Sequence, residues 1–129
     1  MVEATSVRLG RIGQIALTMK DLKKATAYYR DVLGMRLLFE VPGMSFFDLG
    51  GIRLMLGTAE RPELQHPASI LYFLVEDIDV ATEGLKNKGV TFESEPRMTH
   101  KDTRHELWLA FFRDCEENLL ALMSEVAIH

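Results

Sequence analysis

Polar side chains that could bind a small molecule are rare in the apolar segments of this sequence. Gln14 and Thr18 occur in QIALT, Arg53 in IRLML and Tyr72 in ILYFLV. Amide, hydroxyl and guanidinium groups orient ligands through hydrogen bonds, and the planar fork of arginine matches a carboxylate or a phosphate. This pattern is typical of an apolar pocket with a few orienting groups. Arg53 could instead form an ion pair with an acidic side chain at the rim of that pocket.

The histidines and the single cysteine give weaker signals for catalysis. His105 precedes Glu106 at the start of an apolar strand. His105 could contact a ligand, or act with Glu106 as an acid, a base or a metal ligand, although consecutive strand residues point to opposite faces. Cys115 stands among acidic residues, which should raise the pKa of its thiol and disfavour a nucleophilic thiolate.

The composition of the chain is typical of one folded domain. Of its 129 residues, 47% are hydrophobic and 26% charged, and the formal net charge is −4. Nucleic acid is not an expected partner, because its binding needs clustered positive charge. The longest apolar runs are far shorter than the ~20 residues of a membrane-spanning helix, so no membrane partner is expected either. The lone cysteine and the absence of a secretory signal in MVEATSVRLGR predict a cytoplasmic protein.

The two halves of the sequence repeat one pattern. Residues 14–25, QIALTMKDLKKA, align without gaps with residues 70–81, ILYFLVEDIDVA, so that Asp21 meets Asp77. Each segment has the pattern of a strand, an aspartate that caps a helix, and an amphipathic helix.

Extended segments follow each predicted helix. Gly34 and Gly89 stand where left-handed caps would end the two helices. The predicted strands are 35–41, 44–50 and 52–56 in the first half and 90–95, 105–112 and 119–123 in the second. Each half is therefore predicted to be a βαβββ module. We expect a single domain over 1–129, with module one at about 11–57, a polar linker at about 58–68 and module two at about 69–125.

These residues resemble the vicinal oxygen chelate superfamily, which includes glyoxalase I, methylmalonyl-CoA epimerase, extradiol dioxygenases, and the fosfomycin and bleomycin resistance proteins. The resemblance covers about 11–125 and is carried by QIALTMKDLKKATAYYRDVLGM, GGIRLMLG, ILYFLVEDIDVATEGLKNKGV and LAFFRDCEENLLALM. It implies an α+β, glyoxalase-like fold in which two paired βαβββ modules form a curled mixed sheet around a cleft. It also implies a homodimer. It does not imply one activity, because this scaffold hosts unrelated chemistries.

Strand alternation predicts which side chains face the cleft. Leu17 and Phe73 belong to uniformly apolar faces that should pack on the helices. The opposite faces are predicted to form the ligand site and carry Gln14, Thr18, Arg53, Met55, Ile70, Tyr72, Leu74, Ala121 and Met123, with His105 as a further candidate.

Metal-dependent members of the resembled family take ligands from the first and last strand of each module. The matching positions here are Gln14, Met55, Ile70 and Ala121. Ile70 and Ala121 have no donor atom, and Met55 offers only a neutral thioether. The remaining amide of Gln14 cannot hold a divalent metal alone. In glyoxalase-type and epimerase-type members the last position also transfers a proton, so Ala121 lacks that base as well.

Family members often have Asp-Pro-Asp-Gly-Asn before the last strand, where this sequence has DCEEN at 114–118. Glycine adopts left-handed backbone most easily. Its absence predicts an altered turn.

The hypothesis favoured by these residues is a protein that binds a small amphipathic molecule without metal or cofactor, as bleomycin-resistance-type members do. One alternative is a metal-dependent glyoxalase, epimerase or dioxygenase-type enzyme whose ligands have moved to Gln14, His105 and Glu106. A second is a structural or interaction domain whose cleft is filled by its own side chains.

Overall fold

The computed structural model of the chain describes residues 7–58 and 69–128. The predicted linker lies, apart from Thr58, outside the described residues. No helix in the two described ranges combines the length and the apolarity needed to cross a membrane.

The first module forms a four-stranded mixed sheet with one helix. Its elements are β1 (Gln14–Thr18), α1 (Leu22–Ala27), a π-helical continuation of α1 (Tyr28–Val32), β2 (Arg36–Val41), β3 (Met44–Leu49) and β4 (Ile52–Gly57). The strand order is β1-β4-β3-β2, in which β1 and β4 are parallel and the other pairs antiparallel.

The second module repeats this arrangement. Its elements are β5 (Leu71–Leu74), α2 (Ile78–Asn87), β6 (Arg97–Lys101), β7 (His105–Arg113) and β8 (Leu119–Ala127). The strand order is β5-β8-β7-β6, and again only the first pair is parallel. The predicted α+β fold with two βαβββ modules is confirmed.

Both helices begin and end at the predicted residues. The Asp21 carboxylate accepts a hydrogen bond from the Lys24 N–H at 3.1 Å, and the Asp77 carboxylate accepts one from Val80 N–H at 3.1 Å. These bonds satisfy amides that have no partner within the first helical turn. Beyond the helices the backbone turns left-handed at Gly34 (φ 72°) and Gly89 (φ 92°), a region that favours glycine.

The strand predicted at 90–95 is wrong. In that segment Phe92 forms an isolated bridge with Phe112, and the strand itself lies at Arg97–Lys101. All five residues of this edge strand are exposed. A strand without a buried face shows no apolar alternation, so periodicity cannot locate it. At the start of module two, β5 begins at Leu71 and leaves Ile70 just outside the strand.

Burial follows the predicted faces of most strands, although Ala121 on the outward side is itself buried. Leu17, Leu54 and Leu122 belong to one apolar core that both modules share. The side chains of Gln14 and Arg53, on the opposite face, are exposed. We call the exposed faces of the two sheets the first outer face (β1 to β4) and the second outer face (β5 to β8).

A turn at 114–118 joins module two to the helical side of module one. The Asp114 carboxylate is buried and accepts a hydrogen bond from the Tyr29 hydroxyl at 2.7 Å. The two carboxylate oxygens of Glu116 accept from the N–H groups of Lys20 and Asp21, each at 2.7 Å. The missing glycine does not prevent left-handed backbone in this turn, because Glu117 itself adopts φ 67°.

Candidate functional site

Three predicted site residues meet on the first outer face. The Arg53 Nε donates to the Gln14 Oε1 at 2.8 Å, and the Gln14 Nε2 donates to the Met55 Sδ at 3.8 Å. The Arg53 guanidinium carbon lies 4.9 Å from the centre of the Phe46 ring, a cation–π distance. The guanidinium is therefore oriented from one side by an amide and from below by an aromatic ring.

Strand register explains this cluster. Gln14 on β1 is the parallel partner of Arg53 on β4, and Phe46 on β3 is the antiparallel partner of Met55. Residues paired in this way hold their side chains on one face of a sheet at contact distance. The Phe46 ring also stacks on Phe39 of β2, with ring centres 4.5 Å apart and planes inclined by 25°. The cluster thus draws on all four strands.

Arg53 has no anionic partner in the part of the chain that the structure describes. Its register partner Asp48 accepts a hydrogen bond from the Gly51 N–H at 3.2 Å, and no ion pair joins Arg53 to any described carboxylate. The alternative role for Arg53, an ion pair at the rim, is thus not found among these residues. A fixed, exposed guanidinium of this kind can receive a carboxylate or a phosphate.

Thr18 lies farther along β1 than Gln14. It is the register partner of Gly57 at the end of β4, and its side chain is half-buried. It therefore lies on the first outer face, as the alternation predicted.

The second outer face carries the apolar candidates. Ala121 on β8 is flanked by Tyr72 on β5 and Phe111 on β7, whose rings meet edge to face with centres 5.9 Å apart. Ala121 is itself completely buried. Leu74 pairs with Met123 and is 70% exposed. This face therefore presents an aromatic and aliphatic surface.

The candidates thus fall into two groups, one on each sheet. Among the described residues, no hydrogen bond, ion pair or ring contact connects Gln14, Arg53 and Met55 with the group around Tyr72. A pocket of about 320 Å³ does lie where the sheets approach each other, lined by Ile15, Leu49 and Ile52 of module one and by β5, including Tyr72 and Leu74. Ile70, just before β5, is 39% exposed.

The four positions that the resemblance matches to family metal ligands supply few donor atoms. The only donor atoms among them, the amide of Gln14 and the sulfur of Met55, contact each other. Within 7–58 and 69–128, no cluster of three or more His, Cys, Asp or Glu residues is arranged to hold a metal ion. This donor set does not fit a catalytic divalent metal, which needs several carboxylate or imidazole ligands.

His105 is the first residue of β7, and alternation places it on the second outer face. Phe111 lies on the same face near the other end of the strand. His105 lines a pocket of about 200 Å³ together with His100, Asp102, Glu106, Leu107 and Glu125. Glu106 accepts a hydrogen bond from the Trp108 Nε1 at 3.2 Å and lies 3.8 Å from the Lys101 ammonium. Gln14, the third member of the relocated ligand set, lies on the other sheet.

The cysteine behaves as the sequence predicts. Burial, followed by the nearby Asp114 and Glu116 carboxylates, raises the pKa of the Cys115 thiol. The acidic neighbours are visible in the sequence, whereas the burial, which has the larger effect, is visible only in the structure. A thiol held in its protonated form is a poor nucleophile.

Two residues of the first outer face were missed by the sequence reasoning. Phe46 supports the guanidinium of Arg53, and Phe39 extends the aromatic surface to the sheet edge. Alternation within MSFFDL, which sends Phe46 and Phe47 to opposite faces, was the available signal.

The comparisons with known proteins agree with this architecture. Residues 11–122 match the Glyoxalase/Bleomycin resistance protein/Dioxygenase superfamily, and the chain belongs to this family. The uncharacterized protein YraH of Bacillus subtilis (strain 168) is 30% identical over 123 residues, which cover 84% of this chain and 94% of YraH.

Solved structures with the same fold include a lyase and a binding protein. The lactoylglutathione lyase from Agrobacterium tumefaciens has a TM-score of 0.73 at 20% identity, covering 91% of this chain and 95% of that one. TnmS3, an antibiotic binding protein from Streptomyces sp. CB03234, has a TM-score of 0.73 at 18% identity, and the match covers 93% of this chain and 99% of the TnmS3 chain. At these identities the likeness shows the fold alone.

Proposed function

We propose that this protein binds a small amphipathic molecule without a metal ion, and that Arg53 holds an anionic group of that molecule. One observation carries the proposal. The Arg53 guanidinium is oriented by Gln14 and Phe46 and is left without a carboxylate partner among the described residues. A group ordered before binding loses less entropy when the ligand arrives.

The apolar part of the ligand would contact the remaining candidates. Met55 lies beside Gln14, and the hydroxyl of Thr18 lies farther along the same face. The proposed apolar wall consists of Ile70, Tyr72, Leu74 and Met123 with Ala121 beneath, and His105 is proposed at its edge. The proposal is supported by the shared fold of TnmS3, an antibiotic binding protein.

We also propose a homodimer whose interface covers part of the second outer face. Tyr72 is 46% exposed and Leu74 is 70% exposed, although both are large and apolar. Exposed apolar surface of this kind marks interaction sites. The single domain over 1–129 and a cytoplasmic location, suited to a lone cysteine, complete the proposal.

The anion-binding role of Arg53 is tested with naphthalene-2-carboxylate and its uncharged analogue naphthalene-2-methanol. We expect the carboxylate to bind more tightly and Arg53→Met to weaken its binding by about tenfold, because a charge-assisted hydrogen bond is lost. The alcohol should bind equally to both forms. Arg8→Met, which removes an exposed arginine before β1, is the matched control.

Isothermal titration measures these affinities. If the carboxylate and the alcohol bind equally well to the unmodified protein, or if Arg53→Met and Arg8→Met behave alike, Arg53 is not the anion-binding group.

Metal independence is tested by elemental analysis and native mass spectrometry of one sample purified without added metal. We expect no stoichiometric transition metal. A bound metal that Gln14→Ala releases would support the enzyme alternative and overturn the proposal.

A further inference from the structure

A second apolar cavity lies between the two modules on their helical side. Its volume is about 400 Å³, within the range of small-molecule pockets. Module one contributes Val32, Leu33, Met35 and Leu49, and module two contributes residues that include Phe73 and Leu122. We call this cavity the intermodule crevice.

The intermodule crevice lies on the opposite side of the second sheet from the second outer face. Phe73 and Leu122 line it, whereas their strand neighbours Tyr72 and Met123 lie on the second outer face. Successive strand residues point to opposite faces, so the sheet stands between the crevice and the side chains of Tyr72 and Met123. The crevice does adjoin the pocket beside Tyr72, because Leu49 and Phe73 line both. Arg53 lines neither of these pockets, so the proposal for Arg53 does not involve this cavity.

The helix α2 leaves room for a ligand here. Ala81, Gly84, Leu85 and Lys88 recur at helical spacing on the face that lines the crevice. A Cβ atom added to Gly84 would meet no heavy atom within 4 Å, so the space beside this residue is open. On the opposite wall, Val32 ends the π-helical segment Tyr28–Val32, a rare geometry that is frequent at functional sites.

Lys88 is the one polar side chain among the described residues that line the crevice. It is exposed and forms no ion pair within the described part of the chain. Lys86, two residues earlier, pairs with Glu83 and Glu95 instead. An apolar cavity with one uncommitted ammonium group complements a hydrocarbon chain that ends in a single negative charge.

We propose that the intermodule crevice binds an aliphatic carboxylate. The hydrocarbon chain lies among Leu33, Met35, Leu85 and their apolar neighbours, and the carboxylate faces Lys88. A ligand here contacts both modules at once and stabilises their packing, because it binds only when the modules are docked.

Decanoate is the probe, with decanol and decyltrimethylammonium as its uncharged and cationic analogues. We expect calorimetric titration of the full chain to show one decanoate per chain, bound more tightly than either analogue. In spectra of protein labelled with ¹³C at the methionine methyl groups, the Met35 signal should shift, while those of Met55 and Met123 should not. Met35→Leu assigns the Met35 signal.

Two pairs of variants locate the chain and the carboxylate. Gly84→Leu fills the open space and should weaken decanoate binding by more than about tenfold, whereas the smaller Gly84→Ala should weaken it less. Lys88→Met should weaken decanoate binding by about threefold, the modest value of an exposed ion pair, and leave decanol unchanged. Lys23→Met, which removes an exposed lysine on α1, should change neither.

Three results would overturn the inference. The first is that decanoate binds no more tightly than its analogues. The second is that decanoate shifts the signals of Met55 and Met123 but not that of Met35, which would place it on the outer faces and leave the proposal for Arg53 intact. The third is full decanoate affinity in a folded Gly84→Leu protein. If Gly84→Leu does not fold, the Met35 signal of the unmodified protein still decides the matter.

Discussion

The buried carboxylate of Asp114 accepts several hydrogen bonds, from Tyr29 and from its own turn. Besides the Tyr29 hydroxyl, it accepts from Glu116 N–H at 2.8 Å and from the backbone and side chain of Asn118, each at 2.9 Å. A buried acid is tolerated only when its oxygens are satisfied in this way. Asp114 therefore holds its turn together and connects it to α1.

Removal of the Asp114 carboxylate should destabilise the protein strongly. We expect Asp114→Ala to lower the free energy of unfolding by about 3 kcal/mol, because the Tyr29 hydroxyl and several N–H groups lose their buried partner. Urea denaturation measures the change. Glu125→Gln, on an exposed carboxylate of β8, should stay within about 0.5 kcal/mol. Equal effects of the two variants would contradict the buried role of Asp114.

Tyr28 and Tyr29, which follow α1 in its π-helical continuation, have raised pKa values, and these predict a loss of stability in alkali. Burial, then the charge of Asp114, raises the pKa of Tyr28 to about 12 from its usual value of 10.0, and the same causes raise the pKa of Tyr29 further. The folded protein retains these protons when the unfolded chain loses them. The stability that these protonated tyrosines contribute is therefore fully present below pH 10 and is lost as the pH rises toward 12.

The raised pKa values are measured in Tyr72→Phe protein, which retains only Tyr28 and Tyr29 as tyrosines. The ultraviolet absorbance of tyrosinate should appear well above pH 10. Titration near the usual value in the folded protein would contradict the burial of both phenols.

The connection between β7 and β8 contains strain that a single substitution can relieve. Glu117 is the non-glycine residue of the described chain with positive φ, at 67°. Left-handed backbone costs a residue with a Cβ atom about 1–2 kcal/mol, and glycine avoids that cost while losing more entropy on folding. The backbone carbonyl of Glu117 accepts a hydrogen bond from the Arg113 Nη1 at 3.1 Å, so the Glu117 side chain is not needed for that contact.

We expect Glu117→Gly to increase the free energy of unfolding by about 0.5–1 kcal/mol and to raise the melting temperature by about 2–4 °C. Thermal unfolding followed by circular dichroism provides the measurement. Glu117→Ala retains a Cβ atom and should bring no gain. A Glu117→Gly protein that melts at a lower temperature would show that the turn is not strained.

The molecule as a whole turns apolar surface outward on both sheets, while the modules dock through their helical sides. Burial of Leu74, which is 70% exposed, requires another molecule or a bound ligand. Lys, Glu and Asp side chains are normally expelled from the centre of an interface. A charge placed at Leu74 should therefore disrupt the proposed homodimer without disturbing the core.

We expect Leu74→Lys to shift the protein from dimer to monomer in sedimentation velocity experiments. Val80→Lys is the matched control, because Val80 is also apolar and 68% exposed but lies on α2. The control should remain dimeric. If the unmodified protein is already a monomer at the same concentration, the proposed homodimer is wrong.

Local signals predicted most of the fold. The repeat, the caps at Asp21 and Asp77 and the left-handed glycines depend on residues close together in the chain, and the structure confirms them. Edge strand β6 was misplaced because its residues are all exposed and leave no periodic trace. The faces of the other strands followed from alternation with a period of two.

The amino-acid order alone was enough to predict two βαβββ modules, mostly apolar outer faces and poor metal donors at Gln14, Met55, Ile70 and Ala121. Only the folded structure could show that Arg53 rests on Phe46, that Asp114 binds Tyr29 and that a crevice remains beside Gly84. The reason is physical. Patterns along a chain report which way a side chain points, whereas these contacts depend on how separate strands and helices pack in space.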